Sequence, residues 1–389
     1  MAFIFITVML DMLAMGMIIP VLPKIVLGMV ADDTAHAARI FGIFGTAWAL
    51  MQLIFSPVLG ALSDRFGRRP VVLFSNFGLG LDYVLMALAP GLGWLFAGRV
   101  ISGITAASVA TASAYIADVT APEKRAGAFG MLGAAFGVGF VMGPAVGGLL
   151  GAIDLRLPFW VAAGLSLANG CYGLFILPES LPVDKRAPFR WRRANPLGAL
   201  ALLRSRSRLL GLSSISFLGN LAHHALPSTM VLYASYRYGW SEKAVGLTLA
   251  AMGVCMMAVQ GGLVRVAVAR FGERRTLITG LVCGILGFIV YGVAATEVWF
   301  WAGIPLMALW GLAGPSVQGL MSRRVDADEQ GRLQGALSSL TGIAGLIGPG
   351  LFTVIFSVLI GPLPGAAFLL AALFLAGAAM VAARVTRGL

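Results

Sequence analysis

S-D-R-F-G-R-R-P, residues 63–70, sets four charged side chains and a glycine between two long apolar runs. The pattern returns as A-R-F-G-E-R-R at 269–275, so Arg65, Phe66, Gly67 and Arg69 recur as Arg270, Phe271, Gly272 and Arg274, each 205 positions on. The register holds far beyond the loop: Trp94 matches Trp299, Gly98 matches Gly303, Gly130 and Gly137 match Gly335 and Gly342, and Gly143-Pro144 matches Gly348-Pro349. Two halves related by duplication are the direct reading.

The runs on either side of the loop set the class. Apolar side chains make up 59% of the chain and charged ones only 11%, where soluble domains carry about a quarter charged; mean hydropathy is +0.91. Roughly 20 apolar residues span the hydrocarbon of a bilayer. Twelve such stretches can be drawn, at 2–28, 38–62, 71–90, 92–117, 127–152, 157–177, 208–234, 244–268, 276–295, 298–320, 333–360 and 364–384. The expected fold is therefore an all-α membrane protein of twelve transmembrane helices in two pseudo-symmetric six-helix bundles. Residues 1–178 form the first, 179–207 a basic cytoplasmic linker and 208–389 the second. Repeats of this kind place binding sites near the bilayer midplane.

Lys and Arg concentrate in the even-numbered loops, the central loop and the C-terminal tail, and only Arg39, Arg156, Arg237 and Lys243 lie in odd-numbered loops. The positive-inside rule then puts both termini in the cytoplasm. The net charge of +12 is accounted for by short loops facing anionic lipid, which disfavours nucleic acid as a partner. Cys171, Cys255 and Cys283 fall inside spans without C-x-x-C spacing, as small buried hydrophobes rather than a disulfide framework or metal site. The first apolar run is too long for a signal-peptide core and lacks a basic leader, so a few residues with positive charge are expected upstream of Met1.

Between the halves, residues 179–208 carry Lys185, Arg186, Arg190, Arg192, Arg193, Arg204, Arg206 and Arg208 with prolines at 182, 188 and 196. A basic amphipathic helix on the inner leaflet and a plain solvated connection both fit this composition.

Two carboxylates lie inside spans, Asp11 in the first and Asp82 near the middle of the third. Each costs about 2.5–3.5 kcal/mol to insert, which makes a functional role the default reading and a structural hydrogen bond or ion pair the alternative. Desolvation favours the protonated form of a carboxyl, so such a group can take up and release a proton as its surroundings change. Arg99, the only arginine set well inside a span, calls for one of these acids as partner. The pair is either a moving switch of proton affinity or a static bridge.

In the fifth span Gly139, Gly143 and Gly147 are spaced by four and share a helix face, with Pro144 and Gly148 beside them. Small residues allow close helix approach and Pro144 predicts a bend, matched by Gly348-Pro349 in the other half. In the 63–70 loop Gly67 permits a tight turn. Asp64 is placed to face the positive N-terminus of another helix as a separable cytoplasmic latch, against the plainer reading of a positive-inside stop signal. Lys24 lies near enough to a span end to snorkel. Gln52, Asn76, Asn169, Asn220 and Gln260 either line a cavity or bond across helices, and His223 and His224 in span 7 either bind substrate or hydrogen-bond between helices.

These residues resemble the major facilitator superfamily, and within it the twelve-span drug/proton antiporters that include bacterial tetracycline efflux proteins. The resemblance covers nearly the whole chain. It rests on P-V-L-G-A-L-S-D-R-F-G-R-R-P (57–70), L-D-Y (81–83), G-R-V-I-S-G-I-T (98–105), A-Y-I-A-D-V-T (114–120), G-P-A-V-G-G (143–148), L-P-E-S (177–180) and S-R-R-V-D-A-D-E-Q-G-R-L-Q-G (322–335). It implies export of a small amphipathic, drug-like molecule against inward proton flow in a bacterial inner membrane, by a protein working as a monomer. Asp11, Asp82 and Arg99 match residues of proton coupling. Asp64, Arg65, Gly67, Arg69 and Asp118 match the gating motif, and Gly139, Gly143, Pro144, Gly147 and Gly148 the antiporter motif. Spans 7, 8, 10 and 11 contribute to the family's central cavity.

One departure matters. The acid that tetracycline exporters carry in span 9 aligns with Gly284, and their span 8 histidine with Met256, while Gln260 is retained. The resemblance therefore stops short of implying a magnesium-tetracycline complex as substrate, and another amphipathic compound fits as well. No resident cofactor is implied; the proton gradient supplies the energy. No G-x-x-x-x-G-K-[ST] loop occurs for ATP. A facilitator of a small metabolite or sugar with the same fold is the second reading, and no plausible catalytic cluster supports an enzyme.

Overall fold

The computed structural model describes residues 2–106, 108–121, 124–186, 207–325 and 329–387. These are helical nearly throughout, with no strand among the described residues. A single segment in hydrocarbon must satisfy its backbone within itself, and the helix does so. The first half holds α1 (Ala2–Ile18), α2 (Leu22–Met29), α3 (Thr34–Phe66), α4 (Arg68–Leu88), α5 (Leu92–Thr105), α6 (Ser108–Val119), α7 (Arg125–Gly151) and α8 (Leu157–Ile176). The second holds α9 (Ser207–His223), α10 (Ala225–Tyr238) and α11 (Glu242–Ala258), then a π-helical turn (Val259–Leu263) that leads into α12 (Val264–Val293). It ends with α13 (Glu297–Trp310), α14 (Ala313–Ser322), α15 (Gln330–Leu359) and α16 (Ala366–Val385).

Among the described residues nine helical stretches are long and apolar enough to cross a membrane, and one of them, Glu242–Val293, has the 52 residues of two crossings. It turns at Gly272, whose φ of 74° is left-handed and whose neighbours on both sides are helical. The expected spans at 92–117, 208–234 and 298–320 are each a pair of shorter helices, α5 with α6, α9 with α10 and α13 with α14. Thus the twelve expected spans are all helical where described. The first is broken at 19–21, because Pro20 has no N–H to continue α1. The stretch at 187–206, for which an amphipathic or solvated linker was expected, lies outside the described residues, as do Asp326 and Asp328 of the 322–335 motif.

By contact the chain parts into two compact units. One comprises Met1–Asp32, Ala47–Asn195 and Ser241–Ala250; the other Asp33–Thr46, Pro196–Trp240 and Ala251–Leu389. The start of α3 thus packs with the second unit and the start of α11 with the first, two segments that are themselves about 205 residues apart. Within the first unit α1 packs on α7 and α8, and α4 on α5 and α8. The second repeats the scheme, with α9 on α15 and α16, and α12 on α13 and α16. The duplication read in the sequence is a duplication of packing.

The first unit is filled by Ile4, Val8, Met12, Ile116 and Leu132. The second is filled by aromatic rings: Tyr291 stacks on Phe300 with centroids 4.1 Å apart, and Tyr233 meets Phe368 edge-on at 5.0 Å. Buried phenols need partners, and the Tyr233 and Tyr238 hydroxyls donate to Tyr291 O and Ala294 O at 3.0 and 2.9 Å.

Candidate functional site

The charged loop is organised around Arg68. Its Nη1 donates to Asp64 Oδ1 at 2.7 Å and to Ser63 Oγ at 3.0 Å, and its Nε donates to Asp118 Oδ2 of α6 at 3.0 Å. Ser180 Oγ also donates to Asp118, at 3.2 Å. Carboxylates on both sides thus fix the guanidinium by charge-assisted hydrogen bonds. Arg69 Nη2 donates to Leu174 O at 2.5 Å, while Arg65 is exposed and lies over the Phe66 ring, 5.0 Å from its centroid.

The helix N-terminus in this loop is met by a different acid from the one expected. Asp64 pairs with Arg68 one turn on, whereas Glu179, beyond α8, accepts the N–H groups of Arg68 and Arg69 at 2.8 and 3.3 Å and so caps α4. An acid there complements the exposed N–H groups and the helix dipole. Gly67 is required twice, by φ of 106° and because a Cβ would strike the Glu179 carboxylate. In the second copy Glu273 pairs with Arg323 at 3.1 Å, and Arg274 Nε donates to Thr386 Oγ1 at 3.2 Å.

The span carboxylates lie in the first unit. Asp11 of α1 is 3% exposed and accepts from Asn169 Nδ2 of α8 at 3.2 Å; Asn169 in turn accepts from Thr7 Oγ1 at 3.1 Å. Asp82 of α4 is 1% exposed, packed where a Cβ at Gly98 of α5 would stand 2.9 Å from its Oδ1. Neither of its carboxylate oxygens makes a hydrogen bond within 3.5 Å among the described residues, while Ser102 and Arg99 are the polar groups near enough to act on it. Among the described residues Arg99 has no ion pair within 4.0 Å; its guanidinium lies over Trp48, 5.7 Å from the ring centroid, while remaining within electrostatic reach of Asp82. A cation over an indole face keeps part of its stabilisation in a low dielectric. Buried Tyr83 lies within electrostatic reach of Asp11, Asp82 and Arg99 together.

The glycines of α7 bring two backbones together. A Cβ at Gly139 would stand 2.5 Å from Met9 O and one at Gly143 2.7 Å from Gly16 Cα, and Gly147 lies against Met17 O. Gly148, on another face, meets Glu242 O and Gly246 of α11 in the same way, at 2.5 and 2.8 Å, and Pro144 O lies against Gly246 as well. Beside this contact Lys24 Nζ pairs with Glu242 Oε1 at 3.0 Å, with the side chains 13% and 20% exposed. Lys24 therefore ends in a sheltered ion pair where the sequence suggested a side chain reaching for the membrane surface.

In the second unit a cavity of about 330 Å³ is lined by Asn220, His223, Met256 and Gln260, four of the six cavity residues expected from sequence. Gln52 belongs to the first unit. His224 faces α15, where a Cβ at Gly348 would stand 2.5 Å from its own. Sequence reasoning missed Trp310, whose ring lies 5.8 Å from that of His223 and whose atoms stand 2.8 Å from a Cβ built at Gly284. A tryptophan in an apolar run carries no signal that separates a cavity wall from a packing residue.

Duplicated helical spans, carboxylates buried within them and a cavity among broken helices define a multi-pass membrane protein of the repeat-built transporter class. The profile of the Major Facilitator Superfamily matches residues 4–349, and the chain belongs to that family. It is 39% identical over 373 residues to the tetracycline resistance protein, class C, of Escherichia coli, covering 95% of this chain and 93% of that one. The class B protein of Escherichia coli is 34% identical, covering 90% and 86%. The human hippocampus abundant transcript 1 protein is 30% identical, over 83% of this chain and 67% of that one. Solved structures share the fold: the human organic anion transporter MFSD10 (TETRAN) at a TM-score of 0.73 and 23% identity, with 98% of both chains covered. The nucleoside transporter NupG matches at 0.75 and 16%, with 99% of this chain and 98% of that one covered.

Proposed function

We propose that this chain exports a tetracycline-like, drug-sized amphipathic molecule in exchange for protons. It would work as a monomer in a bacterial inner membrane with both termini cytoplasmic. The observation that carries the reading is Asp82, buried with neither carboxylate oxygen in a hydrogen bond within 3.5 Å among the described residues, Ser102 being its near polar neighbour and Arg99 in electrostatic reach but held over Trp48. Its similarity across 90% or more of its length to tetracycline resistance proteins supports the substrate class.

In the mechanism, a carboxyl in a dry site takes a proton on Oδ when no cation is at hand and gives it up when one approaches. A shift of α5 against α4 that brings Arg99 to Asp82 would displace that proton, and a shift that returns Arg99 to Trp48 would favour its uptake. Gly98 permits the close α4 to α5 approach that such sliding needs. Asp11, held by Asn169, is a second proton site or an anchor for α8. The drug leaves by alternating access, its site opening to one side of the membrane at a time.

The test is drug uptake into inside-out vesicles under an imposed proton gradient. Uptake is expected to collapse with an uncoupler, and Asp82→Asn to lose gradient-driven accumulation while still exchanging drug downhill. Uptake indifferent to the gradient would favour a facilitator of a small metabolite instead.

A further inference from the structure

Three helices of the second unit lose their regular hydrogen bonding at one place. α9 gives way to α10 at His224, whose N–H reaches only as far as Leu221 O, at 3.1 Å. α11 widens into the π turn Val259–Leu263. α13 yields to α14 where Gly311 and Leu312 donate to Ala308 O and Leu309 O at 2.9 and 3.1 Å. The cavity lies beside all three, and His223, Gln260 and Trp310 line it. π turns concentrate at functional sites, and irregular backbone at membrane depth is tolerated where it lines a cavity.

The chemistry of the wall is neutral. Among the described residues lining the cavity none is Asp, Glu, Lys or Arg. Asn220 commits its Nδ2 to Ser216 O at 2.9 Å, and Gln260 is exposed. An imidazole such as that of His223 is mostly uncharged at neutral pH. The apolar face is indole and thioether, from Trp310 and Met256. Nor is there room for an acid on α12 at Gly284, where a Cβ would stand 2.8 Å from both Trp310 and Leu375.

A ligand-held divalent cation brings positive charge and a demand for oxygen donors that carboxylates ordinarily meet. Against indole, thioether and carboxamide such an ion finds neutral amide oxygens but no negative charge, so the cost of stripping its water is only partly offset. A flat ring system, by contrast, can stack on Trp310 and take hydrogen bonds from His223 and Gln260, and the cavity volume is that of a small-molecule site. We propose that the cavity binds the planar, uncharged part of an amphipathic ligand on Trp310 and His223 with no divalent metal attached. The inference deepens the export reading by naming the form in which the drug is recognised.

The experiment is calorimetric titration of the purified full-length chain with tetracycline as probe, once with magnesium present and once with EDTA. Saturable binding is expected in EDTA, with an apparent dissociation constant that magnesium, by drawing tetracycline into its chelate, leaves unchanged or weakens and never tightens. Trp310→Ala is expected to weaken binding by roughly tenfold and Trp310→Phe to restore part of it. Because Trp310 also packs on Gly284, exposed Gln260 supplies an independent variant: Gln260→Ala, in a normally eluting protein, is expected to weaken binding by about threefold to tenfold. Binding seen only with magnesium overturns the proposal, as does no saturable binding in either medium or full affinity in both Trp310→Ala and Gln260→Ala. No gradient is used, so a chain that binds tetracycline without metal yet moves none under a proton gradient fails the export reading alone.

Discussion

Glu273 and Arg323 stand 3.1 Å apart at the positions that Arg68 and Asp118 occupy 205 residues earlier, with the charges exchanged. Both copies keep the ion pair that ties the charged loop to the C-terminal end of α6 in one half and of α14 in the other, and each keeps it by a different sign. The two are not equivalent, because Arg68 is also held by Asp64, whose counterpart is Ala269.

Arg323 is 75% exposed while Glu273 is only 14% exposed. The swap Glu273→Arg with Arg323→Glu keeps the pair with its more exposed member at the surface and is therefore expected to retain more transport than the matching swap in the first half. The matching swap Arg68→Glu with Asp118→Arg places the new acid one turn from Asp64 and is expected to lose most activity. Initial uptake rates in vesicles, normalised to protein inserted, decide it; equal behaviour of the two swaps would remove the asymmetry.

At the start of α4, Gly67 and Glu179 act as one device. Glu179→Gln keeps the shape but only one acceptor oxygen, so one of the N–H groups of Arg68 and Arg69 faces an NH2, and it loses the charge on the helix N-terminus; together these are expected to cost about 0.5–2 kcal/mol. Gly67→Ala must relieve both a φ of 106° and a collision with the Glu179 carboxylate, and is expected to cost more. Thermal unfolding of the detergent-purified chain measures both, and a Gly67→Ala protein as stable as Glu179→Gln would contradict the geometry.

How much of this was legible follows from what each feature depends on. The spans were readable because hydrocarbon thickness fixes the length of an apolar run, and the duplication because Gly272 must turn the chain as Gly67 does. The break before Pro20 had a local signal. The interruptions at His224 and Gly311 had one too, because Pro227 and Pro315 lack the N–H that would bond one turn back, whereas Val259–Leu263 has only Gly261 and Gly262 to mark it. Glu179 lies 111 residues from Arg68, the residue it caps, and only packing of α8 on α4 brings them together. Asp64 had Arg68 at helical spacing in plain view, yet a tertiary partner was expected; the i,i+4 pair is the simpler use of the same charges.

Lys24 and Glu242 form a sheltered pair where α2 meets the start of α11. Removing one member leaves a partly desolvated charge, so Lys24→Met and Glu242→Gln are each expected to cost about 1–3 kcal/mol, while Lys24→Met with Glu242→Gln costs less than their sum. A double-mutant cycle on thermal stability gives the coupling, and additive losses would show that the pair does not interact.

Gly284 and Trp310 test why the second unit has no acid in its cavity wall. A Cβ at Gly284 meets the indole and Leu375 at 2.8 Å, so even Gly284→Ala must displace a ring, at about 1–3 kcal/mol for overpacking. Gly284→Asp adds an insertion cost of about 2.5–3.5 kcal/mol for the charge. Joined to Trp310→Ala, which opens the space beside it, Gly284→Asp is expected to recover most of the overpacking loss but not the loss from charge. Melting temperatures of the four proteins separate the two contributions. Recovery absent from the double variant would mean that Leu375, and not Trp310, closes the wall.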